Sequence, residues 1–87
     1  MTATQMRDKT MKALEDLIPL STRLLFEYEV EKEANQGKLV CTIKNSDIIF
    51  RLERSKANQI IELFNYYTLL GFKVDLNHRD DFTLSWA

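Results

Sequence analysis

The chain contains little glycine, proline and cysteine, and each of these shortages excludes some classes of protein. Two glycines and one proline among 87 residues are too few for a flexible linker or a low-complexity tail, so we expect one folded domain over residues 1–87. The single cysteine, Cys41, excludes an internal disulfide and favours a reducing compartment. No apolar run approaches the ~18 residues of a membrane span, and the N-terminal segment lacks the apolar core of a signal peptide. These absences predict a cytoplasmic protein that makes no membrane contact.

The chain also lacks an excess of charge of either sign. Its 12 lysines and arginines nearly balance 13 aspartates and glutamates, which leaves a net charge of −1. A field this weak does not attract nucleic acid or anionic lipid over long distances. Any charged partner must therefore be recognised by a local patch.

Two segments space their apolar residues as a helix does. The first ends near Ile18, because the ring of Pro19 cannot continue the helical hydrogen bonds and disfavours helical backbone at the residue before it. The second begins at Ser55, a good N-cap, and stops at Gly71, which accepts a left-handed backbone cheaply. The sequence thus predicts two amphipathic helices.

Other segments alternate apolar and polar side chains with a period of two, which is typical of strands with one buried face. Turn residues at 34–37 predict a hairpin between the first two of them. The alternating segments begin at Leu24, Leu39, Ile48, Phe72 and Phe82. The predicted order is α-β-β-β-α-β-β, an α+β fold in which two helices pack on one face of a mainly antiparallel five-stranded sheet.

No group of residues resembles a catalytic or metal centre. Cys41 falls on the inward side of a predicted strand, and the only histidine, His78, lies in a distant turn. His78 with Asp80 and Asp81 would make only an open metal site without a second ligand cluster. We predict no catalytic residue, no metal and no cofactor. A small-molecule-binding or enzymatic role is the last of three alternatives.

Nucleic-acid binding is the second alternative. The order α-β-β-β-α over residues 5–70 is similar in topology to the double-stranded RNA-binding domain, which clamps phosphates with lysines at the start of its second helix. This chain offers only Arg54 and Lys56 there, with Arg51 nearby. So few cations bind a phosphate backbone weakly at physiological salt.

Protein binding is the leading prediction. Val40 and Ile49, together with Leu25, fall on the outward side of their predicted strands, where an apolar patch would suit a protein partner or a second copy of the chain. Glu27, Glu29 and Glu31 would form an exposed row opposite lysines, either a solvated face or an acidic binding face. We predict a non-enzymatic interaction module. Its partner-contacting residues are predicted to be Val40, Ile49, Arg51, Arg54 and Lys56.

The C-terminal third carries a recognisable pattern. The segment Tyr66–Val74 reads YYTLLGFKV, and Leu84-Ser85-Trp86 follows after a short gap. Over residues 60–87 this resembles the endings of small accessory proteins of tailed bacteriophages. The resemblance implies a virus-encoded protein that acts in the host cytoplasm, by binding a host factor or by serving in the virion. It assigns no active-site residue.

Overall fold

The computed structural model describes residues 1–87 and contains three helices and three strands. The helices are α1 (Ala3–Leu17), α2 (Leu20–Asn35) and α3 (Lys56–Leu69), and the strands are β1 (Val40–Ile43), β2 (Lys73–Leu76) and β3 (Phe82–Ser85), with a 3₁₀ turn at Asn45–Asp47. The fold is α+β with an antiparallel sheet. The prediction of five strands and two helices is wrong, because two of the predicted strands are not strands.

Helix α1 ends where the sequence predicts, and a capping box fixes its start. The Thr2 hydroxyl accepts a hydrogen bond from the Gln5 backbone N–H, and the Gln5 side chain accepts one from the Thr2 N–H, which together form a capping box. The helix ends at Leu17, followed by Ile18 in an extended conformation before Pro19. Packing of α1 against α3 buries Leu14 and Ile18.

Helix α2 occupies the segment predicted as the first strand. Thr22, Phe26 and Val30 follow one side of the helix toward the core, while Leu20, Leu24 and Tyr28 follow the opposite, exposed side. Each stripe has a spacing of four residues, and the two stripes are offset by two. Their superposition along the sequence produces a period of two, which is why a helix with two apolar sides resembles a strand.

The segment predicted as the third strand, from Ile48 to Leu52, is a loop. Its backbone groups are satisfied by side chains rather than by a neighbouring strand: the Thr22 hydroxyl donates to the Ile49 carbonyl at 2.7 Å. The Gln59 amide accepts from the Arg51 N–H at 2.8 Å and donates to the Arg51 carbonyl at 3.3 Å. Thr22 and Gln59 are both buried, so this loop is held by the two helices.

Strand β3, the last in the chain, is the centre of the sheet, whose order is β1-β3-β2. The two last alternating segments, which begin at Phe72 and Phe82, form β2 and β3 and pair with each other as an antiparallel hairpin. The predicted hairpin around residues 34–37 is wrong, because that turn links α2 to β1 with Gly37 at φ 81°. Strand β1 pairs instead with β3, with Cys41 opposite Leu84.

One face of the sheet is covered and the other is open. The covered face carries the buried side chains of Cys41, Ile43, Phe82 and Leu84, against which α2 and α3 pack. Gly71 lies at φ 105° just after α3 and turns the chain into β2, as predicted. No helix is both long enough and apolar enough to span a membrane.

Candidate binding surfaces

The loop between the 3₁₀ turn and α3 holds three of the five predicted contact residues, and Lys56 follows it directly. Ile49 is exposed, and so is the Arg51 side chain, although Gln59 holds the Arg51 backbone. Lys56 begins α3, with its Nζ 5.5 Å from the centre of the Phe50 ring. The fifth residue, Val40, lies apart on β1.

Arg54 is committed to an internal ion pair. Its guanidinium donates to a carboxylate oxygen of Glu62, which is only 8% exposed and lies on the side of α3 that faces the core. A buried carboxylate needs such a partner, because leaving it unpaired costs desolvation energy without compensation. Of the three cations proposed to contact a phosphate backbone, Arg54 is the one that already has an anionic partner.

The open face of the sheet does not form the expected apolar patch. By the strand register this face carries Thr42, Thr83 and Ser85 beside Val40. Leu25 belongs to α2 and Ile49 to a loop, so neither contributes to the sheet. Val40 is therefore an isolated exposed apolar side chain on a polar face.

The predicted row of glutamates is also divided, because its segment is helical. Glu29 turns toward β1, where it lies close enough to Cys41 to affect its titration. Glu27 and Glu31 lie on another side of α2, beside α3. No continuous acidic row exists along a strand.

A groove runs between α2 and the C-terminal half of α3. It encloses about 400 Å³, and most of its lining is apolar. The lining residues are Arg23, Phe26, Glu27, Val30, Glu31, Tyr66, Tyr67, Leu70 and Phe72. We call this feature the α2–α3 groove. Concave, mainly apolar sites with a few polar groups are where proteins bind ligands and peptide segments.

The floor of the α2–α3 groove is a cluster of aromatic rings. Phe26 stacks on Tyr67 with ring centres 4.7 Å apart, and Tyr66 meets Tyr67 edge-on at 5.1 Å. Phe72 closes one end and contacts Trp86 edge-on at 6.2 Å. Burial raises the pKa of Tyr67 above its ordinary value, so its phenol stays neutral. The floor is thus rigid, apolar and uncharged.

The rim of the groove carries charges of both signs. Glu27 and Glu31 are exposed one turn apart on α2. Arg23 lies beside them, and its Nε is buried without a hydrogen-bond acceptor. An occupant therefore meets two exposed carboxylates beside the half-buried Arg23 side chain.

The chain matches no protein-family model, no curated protein and no solved structure.

Cys41 lies on the covered face of the sheet with 3% of its surface exposed. Burial, together with the negative charges of Glu29 and Glu33, raises the pKa of Cys41 to about 11. His78 is exposed in the turn between β2 and β3. At neutral pH Cys41 is thus a protonated core thiol rather than a nucleophile. No group of three or more His, Cys, Asp or Glu side chains is arranged to hold a metal ion.

The α2–α3 groove was not predicted from the sequence, because it exists only if α2 is a helix. The sequence analysis predicted a strand that begins at Leu24 instead. Had residues 20–35 been interpreted as helical, Phe26 and Val30 would share a side with Arg23 and Glu27 next to it. The available signal was composition: this stretch contains no glycine or proline and has three leucines and four glutamates, which favour helix.

Proposed function

We propose that this chain is a non-enzymatic protein-binding module that takes a short segment of its partner into the α2–α3 groove. The observation that carries the proposal is the groove itself: a concave, mainly apolar surface between two helices, with a charged rim. Leu70 is exposed in this groove, and Val30 and Phe72 are partly exposed, so part of the apolar lining stays accessible.

The rim indicates what kind of segment the groove would take. Two carboxylates, Glu27 and Glu31, complement a lysine or arginine of the partner. The positive charge of Arg23, which is half-buried in the same lining, complements a backbone carbonyl or a carboxylate. The proposed occupant is therefore an amphipathic segment with large apolar side chains flanked by basic residues.

The resemblance to bacteriophage accessory proteins stays a prediction, and it would make the partner a host or virion protein in the cytoplasm. Self-association is the competing occupant. The exposed stripe of Leu20, Leu24 and Tyr28 on α2 lies next to Glu27 and Glu31, so a second copy would meet both features. Sedimentation velocity over a range of concentrations separates a monomer from a dimer.

The groove can be tested with a displayed peptide library selected on the purified chain. We expect enriched peptides to combine aromatic or leucine residues with lysine or arginine. Synthetic copies of these peptides should bind two variants at least about ten-fold more weakly than they bind the wild type. The variants are Leu70→Glu, which removes apolar complementarity, and the double variant Glu27→Lys, Glu31→Lys, which removes electrostatic complementarity. Leu70 is half exposed, so the Leu70→Glu chain should remain folded.

The matched control is Leu52→Glu, which places the same charge at a fully exposed leucine outside the groove. Its peptide affinity should equal that of the wild type. Peptides that bind all variants equally, or a library that yields no binder, would show that the groove is not a docking site.

A further inference from the structure

Three cations from three separate segments line one polar cleft at the start of α3. Lys44 follows β1, Lys56 begins α3, and Arg79 lies in the turn between β2 and β3. The cleft encloses about 510 Å³ and has no apolar residue in its lining. Its other lining residues are Asn45, Ser46 and Asp81. It shares no residue with the α2–α3 groove, so its role is independent of the proposed function.

Hydrogen bonds of Asp81 hold two of these cation-bearing segments together. The Asp81 carboxylate accepts a hydrogen bond from the Asn45 N–H at 2.8 Å and one from the Asn77 side-chain amide at 3.0 Å. These bonds join the turn that carries Arg79 to the segment that carries Lys44. Both carboxylate oxygens of Asp81 already have hydrogen-bond donors within the chain, and the charges of Arg79 and Lys44 also act on this carboxylate. None of the three cations forms an ion pair within 4 Å.

The cleft also holds a donor that has no acceptor. The side-chain Nδ2 of Asn45 is buried and makes no hydrogen bond. An unsatisfied buried donor costs free energy that an incoming oxygen atom would recover. The Ser46 hydroxyl lies in the same lining, and the N-terminus of α3 adds the positive end of a helix dipole.

An apolar depression adjoins the cleft and shares Lys56 with it. Ala57, Ile60 and Ile61 of α3 line this depression together with Asp80. Ile61 is 57% exposed. It lies one helical turn after Ala57 on α3, on the same side of the helix. A ligand that extends from the cleft would place its next atoms on this surface.

We propose that the cleft of Lys44, Lys56 and Arg79 binds a phosphate monoester, and that the depression at Ile61 binds an apolar group attached to that phosphate. A compact dianion suits three cations that line the same cleft. A nucleic-acid backbone suits them less, because it engages a longer row of cations and this lining offers no aromatic ring for base stacking.

The probes are phenyl phosphate, methyl phosphate and dimethyl phosphate, titrated at constant ionic strength and pH 7.5 and followed through the backbone amide NMR signals. The monoesters are mostly dianions at this pH, whereas the diester carries one charge, as a nucleic-acid backbone does. We expect shifts at Ser46, Lys56 and Arg79, with phenyl phosphate binding more tightly than methyl phosphate and the diester not binding.

Substitutions separate the two parts of the site. Lys56→Gln with Arg79→Gln should weaken binding of both monoesters about ten-fold or more. Ile61→Asn should remove the advantage of phenyl over methyl phosphate and leave methyl phosphate unaffected. Asp80→Asn should tighten binding of both, because it removes a carboxylate beside Lys56 while asparagine tolerates the left-handed backbone at φ 61°.

The matched control is Lys9→Gln with Lys12→Gln, which removes two exposed cations of α1 outside the cleft. Binding by this variant should equal that of the wild type. The proposal is overturned if neither monoester shifts the cleft residues, if both double variants lose affinity equally, or if duplex RNA binds at the cleft while the monoesters do not.

Discussion

Asp81 shows how one carboxylate can determine the relative position of two segments. Its hydrogen bond from the Asn45 backbone N–H, followed by that from the Asn77 side chain, lowers the pKa of Asp81 below its ordinary value. Both bonds favour the charged form. Asp81 therefore stabilises the fold when ionised and stops doing so when protonated.

This pKa shift makes stability depend on pH in a defined direction. Because the folded pKa of Asp81 lies below the unfolded one, its contribution is complete above the unfolded value near 4 and is lost as the pH falls through the folded value. Asp81→Asn should lower the free energy of unfolding at pH 7, since an amide nitrogen would face the Asn77 amide. The difference from the wild type should shrink at pH 2.5.

Urea denaturation of both proteins at the two pH values measures this effect. Asp75→Asn is the control, because Asp75 is exposed on the open face of the sheet. Its difference from the wild type should be small at both pH values. A difference for Asp81→Asn that does not change between pH 7 and pH 2.5 would mean that the carboxylate charge is not what holds the turn.

Helix α2 has two apolar sides with different roles, and substitutions on each should behave differently. Phe26 is 0% exposed, stacks on Tyr67 and meets Phe82 edge-on with ring centres 5.5 Å apart. Phe26→Ala should destabilise the protein by about 3–5 kcal/mol, the range for removing a buried aromatic ring. This is a large part of the stability of a domain this small.

Leu24→Ala, two residues earlier on the exposed side, should change the free energy of unfolding by less than about 0.5 kcal/mol. Chemical denaturation of the two variants gives the comparison directly. Equal losses would indicate that Leu24 is covered in solution, and a concentration-dependent loss at Leu24 alone would identify self-association through that side of α2.

Sequence analysis correctly predicted the elements whose ends are marked by a capping residue, a proline or a glycine. Pro19 ends α1, and Ser55 and Gly71 bound α3. Each of these residues acts through local backbone chemistry that does not depend on the rest of the fold.

The elements that were missed depend on contacts distant in sequence. The alternation from Ile48 to Leu52 is compatible with a strand, but no strand was available to pair with it, and Thr22 and Gln59 bind its backbone instead. The packing of the helices decides which side chains hydrogen-bond to the backbone of a loop. The periodicity of the sequence contains no information on that packing.

At the scale of the whole molecule, the candidate sites could not be predicted from sequence because topology creates them. Lys44, Lys56 and Arg79 belong to three separate segments and line one cleft only in the folded chain. The pairing of β1 with β3 brings the segment of Lys44 to the turn that carries Arg79. Sequence proximity favoured Arg51 and Arg54 as companions of Lys56. The fold instead pairs Arg54 with Glu62.

The central position of β3 also predicts how the molecule opens. The Trp86 N–H donates to the Leu39 carbonyl, and the Asn77 N–H to the Asp81 carbonyl. Since paired and unpaired groups alternate along antiparallel strands, the N–H groups of Cys41 and Asp75 point toward β3. Those of Thr42 and Val74 point outward from the two edges of the sheet.

In native-state hydrogen exchange measured by NMR, slow and fast amide exchange rates should therefore alternate along each edge strand. We expect the Thr42 and Val74 amides to exchange at least about 100-fold faster than those of Cys41 and Asp75, whose release requires β3 to separate. The neighbours within each strand serve as controls, because they share its sequence context. Strong protection of Thr42 that increases with protein concentration would mean that the edge of β1 pairs with another chain, and the sheet would then be the interaction surface instead of the α2–α3 groove.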